Sequence, residues 1–169
     1  MAHAAAPPGL RPLLPSDAPR LAALFRASVE TLAGDYYHDD QLAAWASVAL
    51  DEDAFARRLA GTLTIVALLD GEIAGFASLE NQQRFDMLYV HPAAVRRGVG
   101  AALADAIEKL AHARGVERLS VDASDAAREF FAARGYVAVQ RNTIVLGGEW
   151  LGNTTMTKDL APQGSKGRV

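Results

Sequence analysis

The chain has 169 residues, half of them apolar, a formal net charge of −3 and no cysteine. This length and composition suit one sizeable core, and the missing cysteine excludes disulfides, thiolate metal sites and a cysteine nucleophile. The slight acidity argues against non-specific nucleic-acid binding. No apolar run reaches transmembrane length, and residues 1–8 lack the basic and apolar regions of a signal peptide. A cytoplasmic protein that binds neither nucleic acid nor membrane is expected. The four histidines are scattered, so no metal site is expected either.

Residues 1–8 read as a flexible leader, 9–160 as one domain and 161–169 as a flexible tail. Residues 10–14 suit an edge strand, because Pro12 lacks a ladder donor. Ser16 reads as an N-cap, with Asp17 and Pro19 in the first turn of a helix that Gly34 ends. Leu21, Leu24, Phe25, Ser28 and Leu32 share one face of it. Asp35-Tyr36-Tyr37-His38-Asp39-Asp40 is a polar, aromatic loop. A second helix carries Leu42, Trp45, Ala46 and Ala49; a third begins at Asp51, carries Phe55 and Leu59, and stops at Gly61.

The pattern then turns to β-branched and apolar runs. Residues 63–69 and 73–79 read as strands around Asp70-Gly71, a strong hairpin signal, and 85–90 as a third strand. His91-Pro92 breaks it; His91 reads as a turn residue. An amphipathic helix runs up to Gly115 with Val99, Leu103, Ile107 and Leu110 on its buried face. Residues 118–121 form another strand. Ser124 reads as the cap of a helix through Arg134, with Gly135 just past its end. Residues 136–145 and 150–157 make a final hairpin around Gly147-Gly148. The order predicts an α/β fold with a mixed sheet of about seven strands and helices on both faces.

The most informative stretch is Val95-Arg96-Arg97-Gly98-Val99-Gly100-Ala101, which joins a strand to a helix. A helix start carries backbone N–H groups without intrahelical partners and the positive end of the dipole. Two glycines let the backbone approach a bulky anion, and Arg96 and Arg97 add charge-assisted donors. The loop reads as a pyrophosphate cradle. It is neither a Rossmann loop, since Leu103 stands where a third glycine would, nor a Walker loop, since no Gly-Lys-Ser/Thr is present.

With these motifs in this order, the chain resembles the GCN5-related N-acetyltransferase (GNAT) family over about residues 9–160. Leu88-Tyr89-Val90-His91-Pro92 before Arg96-Arg97-Gly98-Val99-Gly100-Ala101 is similar to the family's pyrophosphate motif. Leu119-Ser120-Val121-Asp122 followed by Phe130-Phe131-Ala132-Ala133-Arg134-Gly135-Tyr136 is similar to its later signature. The tail Trp150-Leu151-Gly152-Asn153-Thr154-Thr155-Met156-Thr157-Lys158 and the Tyr36, Gln41, Trp45 segment resemble the bacterial YafP-like branch.

The resemblance implies acetyl-coenzyme A as donor and a splay between the fourth and fifth strands, where the pantetheine arm pairs with backbone near Leu88, Tyr89 and Val90. It implies pyrophosphate on the N–H groups of Arg96, Arg97, Gly98, Val99, Gly100 and Ala101. Ser124 stands at an asparagine-like position that touches the donor arm, and Phe131 is counted with the donor-binding residues. A homodimer through C-terminal strands is a further implication. Three positions depart from the family pattern: Val95 for Gln or Arg, Arg84 for a glutamate base and Phe131 for a tyrosine acid.

Among the residues present, Asp86 is the first candidate for taking the amine's proton. Strand alternation puts it on the face of Leu88 and Val90; a solvated strand-end carboxylate is the plainer reading. Glu80 ends the neighbouring strand and is the second candidate, with a hairpin-loop charge as its plainer reading. Tyr89 and Tyr136 read as core aromatics. The resemblance places Tyr36, Tyr37 and Trp45 where family members build the acceptor pocket, with helix packing the favoured reading for Trp45; Asn153 and Thr155 on the last strand are further candidates to face the acceptor. The expected activity is acetyl transfer from acetyl-CoA to a primary amine by direct attack in a ternary complex, since no cysteine nucleophile exists. The rival readings are a non-catalytic acyl-CoA module, an enzyme acting on protein lysines or N-termini, and a general nucleotide-phosphate binder.

Overall fold

The structure is a computed structural model that describes residues 6–160. Residues 1–5, in the expected leader, and 161–169, the expected tail, lie outside the described residues. Seven strands, β1 (Gly9–Pro12), β2 (Leu63–Leu69), β3 (Glu72–Glu80), β4 (Arg84–Val90), β5 (Arg118–Ser124), β6 (Val137–Leu146) and β7 (Glu149–Asp159), form one sheet. Their order is β1-β2-β3-β4-β5-β7-β6, antiparallel throughout except for β4 beside β5. This is the mixed sheet that the resemblance implies.

Alternation in β2 explains how the sheet takes helices on both faces. Ile65, Ala67 and Leu69 pack with α4 (Val99–Ala113) and with Phe131 of α5 (Arg128–Ala133). Val66, between them, packs with α1 (Ala18–Leu32), α2 (Asp39–Ala46) and α3 (Glu52–Ala60). Asp70 and Gly71 both have positive φ, 51° and 81°, as a two-residue hairpin turn needs. Asp51 caps α3 by accepting the N–H of Ala54 at 3.0 Å. At Gly75 a Cβ would stand 2.8 Å from Val99 and 2.9 Å from the Tyr89 carbonyl, so only glycine lets α4 lie this close to β3.

Two expected starts are corrected. The first strand ends at Pro12, and Pro15–Asp17 form a 3-10 turn before α1. Ser16 therefore does not cap the helix. Asp17 organises the corner instead: its carboxylate accepts the Leu14 N–H at 2.8 Å and both Arg11 guanidinium nitrogens, at 2.7 and 2.9 Å. Ser124 is the last residue of β5 rather than a helix cap. Its hydroxyl accepts the Ala127 N–H at 3.2 Å, and α5 starts later, at Arg128.

The strand that leads to the glycine loop carries a bulge. Ser78 pairs with Met87, but the next residue of β3, Leu79, pairs with Phe85, leaving Asp86 as the extra residue. Phe85 and Met87 consequently face opposite cores. Beside it, β4 meets β5 only at Arg84 and Phe85. From Asp86 onward the two parallel strands have separated, and the edge of β4 toward β5 has no strand partner.

Candidate functional site

The splay opens a cleft of about 610 Å³ between α1, the end of β4, the start of α4 and the β5–α5 turn. Leu88, Tyr89, Val90, Arg96, Gly98, Val99, Gly100, Ala101 and Ser124 line it, nine of the predicted donor residues brought together. The loop conformation explains why glycine starts the helix: Gly98 sits at φ 81°, and Arg96 just before it at 62°. The Ala102 N–H donates to Gly98, the first such bond of α4, so the N–H groups of Val99, Gly100 and Ala101 have no intrahelical partner. A Cβ on Gly100 would project to within 3.4 Å of Phe130 and 3.8 Å of Val90. A narrow apolar cradle roofed by unbonded amides suits a pyrophosphate with its attached chain.

Two predicted members stand elsewhere. Arg97 turns out of the cleft to within 3.7 Å of Asp70, because the left-handed step at Arg96 sends successive side chains apart. Phe131 is buried among Phe85, Phe130 and Tyr136 and does not line this cleft; its neighbour Phe130 does.

A second cavity, of about 270 Å³, lies on the other side of the splay. It shares Trp45, Leu88, Tyr89, Ser124 and Ala127 with the first. Tyr89 forms the common wall; burial pushes its phenol up to about 12, against a hydrogen bond from Trp45 and the charge of Arg58, so it stays protonated. Phe25 and Phe131 complete the aromatic lining, and Arg58, Arg84, Asp86 and Asp122 supply its charges.

The bulge decides where Asp86 points. It does not share the face of Leu88 and Val90. Its carboxylate turns toward α3 and accepts Arg58 Nε and Nη2 at 3.0 and 2.8 Å. That bond outweighs desolvation and raises the pKa of Arg58, so the guanidinium remains charged. The Asp86 side chain is only 6% exposed, against 45% for Arg58. Glu80 lies outside both cavities, 3.7 Å from Arg84, because it pairs at the closed end of the β3–β4 hairpin before the splay begins.

The acceptor candidates divide similarly. Tyr37 lines the second cavity and is buried, whereas Tyr36 is half exposed and lines neither cavity. The Tyr37 hydroxyl donates to the Gly152 carbonyl at 2.7 Å and accepts the Asp125 N–H at 2.9 Å. It thus ties the α1–α2 loop to β7 and to the β5–α5 turn across the cavity. Burial raises its pKa as well. Tyr37→Phe removes both bonds and leaves a part-buried N–H and C=O without the hydroxyl, an expected loss of about 1 kcal/mol. Thermal denaturation checks it; an unchanged Tm would show that water replaces the hydroxyl. Asn153 lines the cavity and bonds to Asn142, while Thr155 stands behind it, donating to Asp122 at 2.6 Å. Arg58 and Asp122 were not anticipated; no local pattern marks them, since Arg58 reaches Asp86 from 28 residues away. Among the described residues, no group of three or more His, Cys, Asp or Glu is placed to hold a metal, and no helix is long and apolar enough to cross a membrane.

Comparison with known proteins agrees with this geometry. The family model described as acetyltransferase (GNAT) domain matches residues 34–160. The chain is 33% identical over 147 residues to the uncharacterized N-acetyltransferase YafP of Escherichia coli K12, covering 87% of this chain and 93% of YafP. A crystal structure of a GCN5-related N-acetyltransferase from Rhodopseudomonas palustris superposes with TM-score 0.91 and 57% identity, over 95% of this chain and 100% of that one. The PaiA N-acetyltransferase of Thermoplasma acidophilum, solved in complex with coenzyme A, shares the fold at TM-score 0.75 and 16% identity, over 91% of this chain and 99% of that one. The family model and these relatives make the chain an acyltransferase of the N-acetylating class. The chain belongs to the GCN5-related N-acetyltransferase family.

Proposed function

We propose that the protein binds acetyl-CoA along the β4–β5 splay and transfers its acetyl group to a primary amine by direct attack in a ternary complex. The observation that carries this reading is the adjacency of the two cavities: one ends at the glycine loop before α4, the other holds charged and aromatic side chains, and Leu88 and Tyr89 line both. The unpaired edge of β4 supplies main-chain groups for the amides of the pantetheine arm. The N–H groups at the start of α4, with Arg96, hold the pyrophosphate. Apolar walls exclude water from the thioester.

The transfer forms a carbon–nitrogen bond as the carbon–sulfur bond breaks. One proton leaves the amine and one is taken up by the departing thiolate. Asp86 receives the amine's proton through a single water, using lone pairs that Arg58 leaves free. Phe131, buried where many family members carry a tyrosine, has no proton to give, so the thiolate takes its proton from solvent as coenzyme A leaves the cleft. Asp86→Asn is expected to lower kcat by about a hundredfold, with the Kd for acetyl-CoA changed by less than threefold. Parallel kinetics and calorimetry check this. An undiminished rate across the pH profile removes Asp86 from the reaction.

Calorimetric titration with acetyl-CoA, run beside ATP, tests the donor site. Binding of acetyl-CoA alone supports the reading, and equal binding of ATP makes the loop a general phosphate site. The positions of Arg84 and Phe131 favour a second reading, a non-catalytic acyl-CoA module. Thiol release on adding amines distinguishes the two.

A further inference from the structure

We infer that the acceptor is a small zwitterion, an α-amino acid with an apolar or aromatic body, whose carboxylate docks on Arg84 and whose amino group lies by Asp122. The inference rests on the acetyltransferase reading and adds the chemical class of the acceptor.

Arg84 is a half-exposed guanidinium on the wall of the acceptor cavity, held by two loose ion pairs. It stands 3.4 Å from Asp122 and 3.7 Å from Glu80, and among the described residues it makes no hydrogen bond within normal range. Arg58, by contrast, spends two of its nitrogens on Asp86. A planar fork whose ion pairs are this loose keeps the geometry to receive a carboxylate through two parallel hydrogen bonds.

The opposite charge lies beside it. One oxygen of Asp122 accepts the Thr155 hydroxyl, while the other, Oδ2, faces Arg84 at 3.4 Å in an ion pair that lacks hydrogen-bond geometry. The cavity thus presents a cation and an anion side by side, each with unused hydrogen-bonding capacity. An amino acid carries the complementary pair at that spacing. Its carboxylate replaces a loose ion contact rather than a formed hydrogen bond, so little is lost on binding.

Size and lining fit the same class. The cavity holds about 270 Å³, at the lower edge of the roughly 300–1,000 Å³ typical for drug-sized ligands. Phe25, Trp45 and Tyr89 offer the acceptor's side chain an aromatic wall. A lysine side chain brings an amine but no carboxylate within reach of Arg84. The amino acid's ammonium loses one proton to water before attack, and a second leaves as the amide forms and the thiolate takes one up. One proton is therefore released per acetyl transferred.

The test uses matched pairs in a thiol-release assay with acetyl-CoA: L-phenylalanine with phenethylamine, L-leucine with isopentylamine, and L-methionine with 3-(methylthio)propylamine. Each amino acid is expected to exceed its decarboxylated partner by about tenfold or more in kcat/KM, mainly through KM, as a charge-assisted pair of hydrogen bonds predicts. Arg84→Ala is expected to bring that ratio to within about twofold, and Arg84→Lys to restore part of it. Amines turned over as well as the amino acids in all three pairs overturn the inference and leave the acetyltransferase reading standing. A ratio unmoved by Arg84→Ala, or turnover confined to a lysine-bearing peptide, also overturns it. So does acetyl-CoA binding with no turnover of any of the three amino acids. Failure to bind acetyl-CoA at all overturns the acetyltransferase reading itself.

Discussion

Gly100→Leu is expected to remove acetyl-CoA binding from a protein that still folds. The glycine lies in the first turn of α4, where its N–H has no helical partner and its Cα faces the cradle. A Cβ there stands 3.4 Å from Phe130 and 3.8 Å from Val90, ordinary contact, so alanine fits. Leucine continues into the space between those side chains and displaces an anion from two or more amide donors. Hydrogen bonds to a charged group contribute about 1.5–3 kcal/mol each, so the expected loss is about 3 kcal/mol or more, on the order of a hundredfold in Kd. Calorimetry reads the affinity, and circular dichroism with a Tm within a few degrees of the parent reads the fold. Undiminished affinity would move the pyrophosphate elsewhere. Gly98 is a poorer place for the same experiment: at φ 81° any side chain adds backbone strain of about 1–3 kcal/mol, which mixes folding with binding.

Glu108→Ala is expected to have the largest effect on stability. Glu108 is a buried carboxylate on the inner side of α4. It accepts hydrogen bonds from Arg134, at the end of α5, and from Lys158 of β7. Three elements on one side of the sheet are thereby joined through one side chain. Removing it leaves two cations near each other with side chains only 18% and 28% exposed. Arg134 keeps the exposed Asp105 as a partner, and Lys158 keeps partial access to water. The lower end of the range for breaking a buried ion pair therefore applies, about 3 kcal/mol, or roughly 6–12 °C in Tm for a chain of this size. Denaturant titration and a double-mutant cycle with Lys158→Met measure it. A cost below about 1 kcal/mol would show that the triad behaves as an ordinary surface network. Acetyl-CoA affinity at a temperature where both proteins are folded should not change, since Glu108 lies in neither cavity.

Local chemistry made much of this legible before the fold was seen. β2 runs over the residues that its β-branched run predicts, and the Asp70-Gly71 turn has the positive φ values its composition calls for. The amphipathic spacing of Val99, Leu103 and Ile107 matches the buried face of α4. The glycine loop was legible for the same reason: helix start, glycine and arginine act on residues adjacent in the chain. Errors fell where neighbours in space replaced neighbours in sequence. Ser16 lost the cap because Asp17 found Arg11 across the corner. Tyr36 and Tyr37 were indistinguishable as sequence, yet only Tyr37 finds partners, 115 and 88 residues away.

Composition, periodicity and turn chemistry by themselves determined the order of elements and the glycine-bracketed start of α4, because each depends on interactions within a few residues. The tertiary structure alone decided the lining of the second cavity. A one-residue bulge in β4 turned Asp86 away from Leu88 and onto Arg58, and the short parallel pairing of β4 with β5 at Arg84 and Phe85 brought Arg84 within 3.4 Å of Asp122 on one cavity wall. A bulge reverses every side chain beyond it, and a charge's role depends on which distant partner it meets. Neither property is written in the residues nearby.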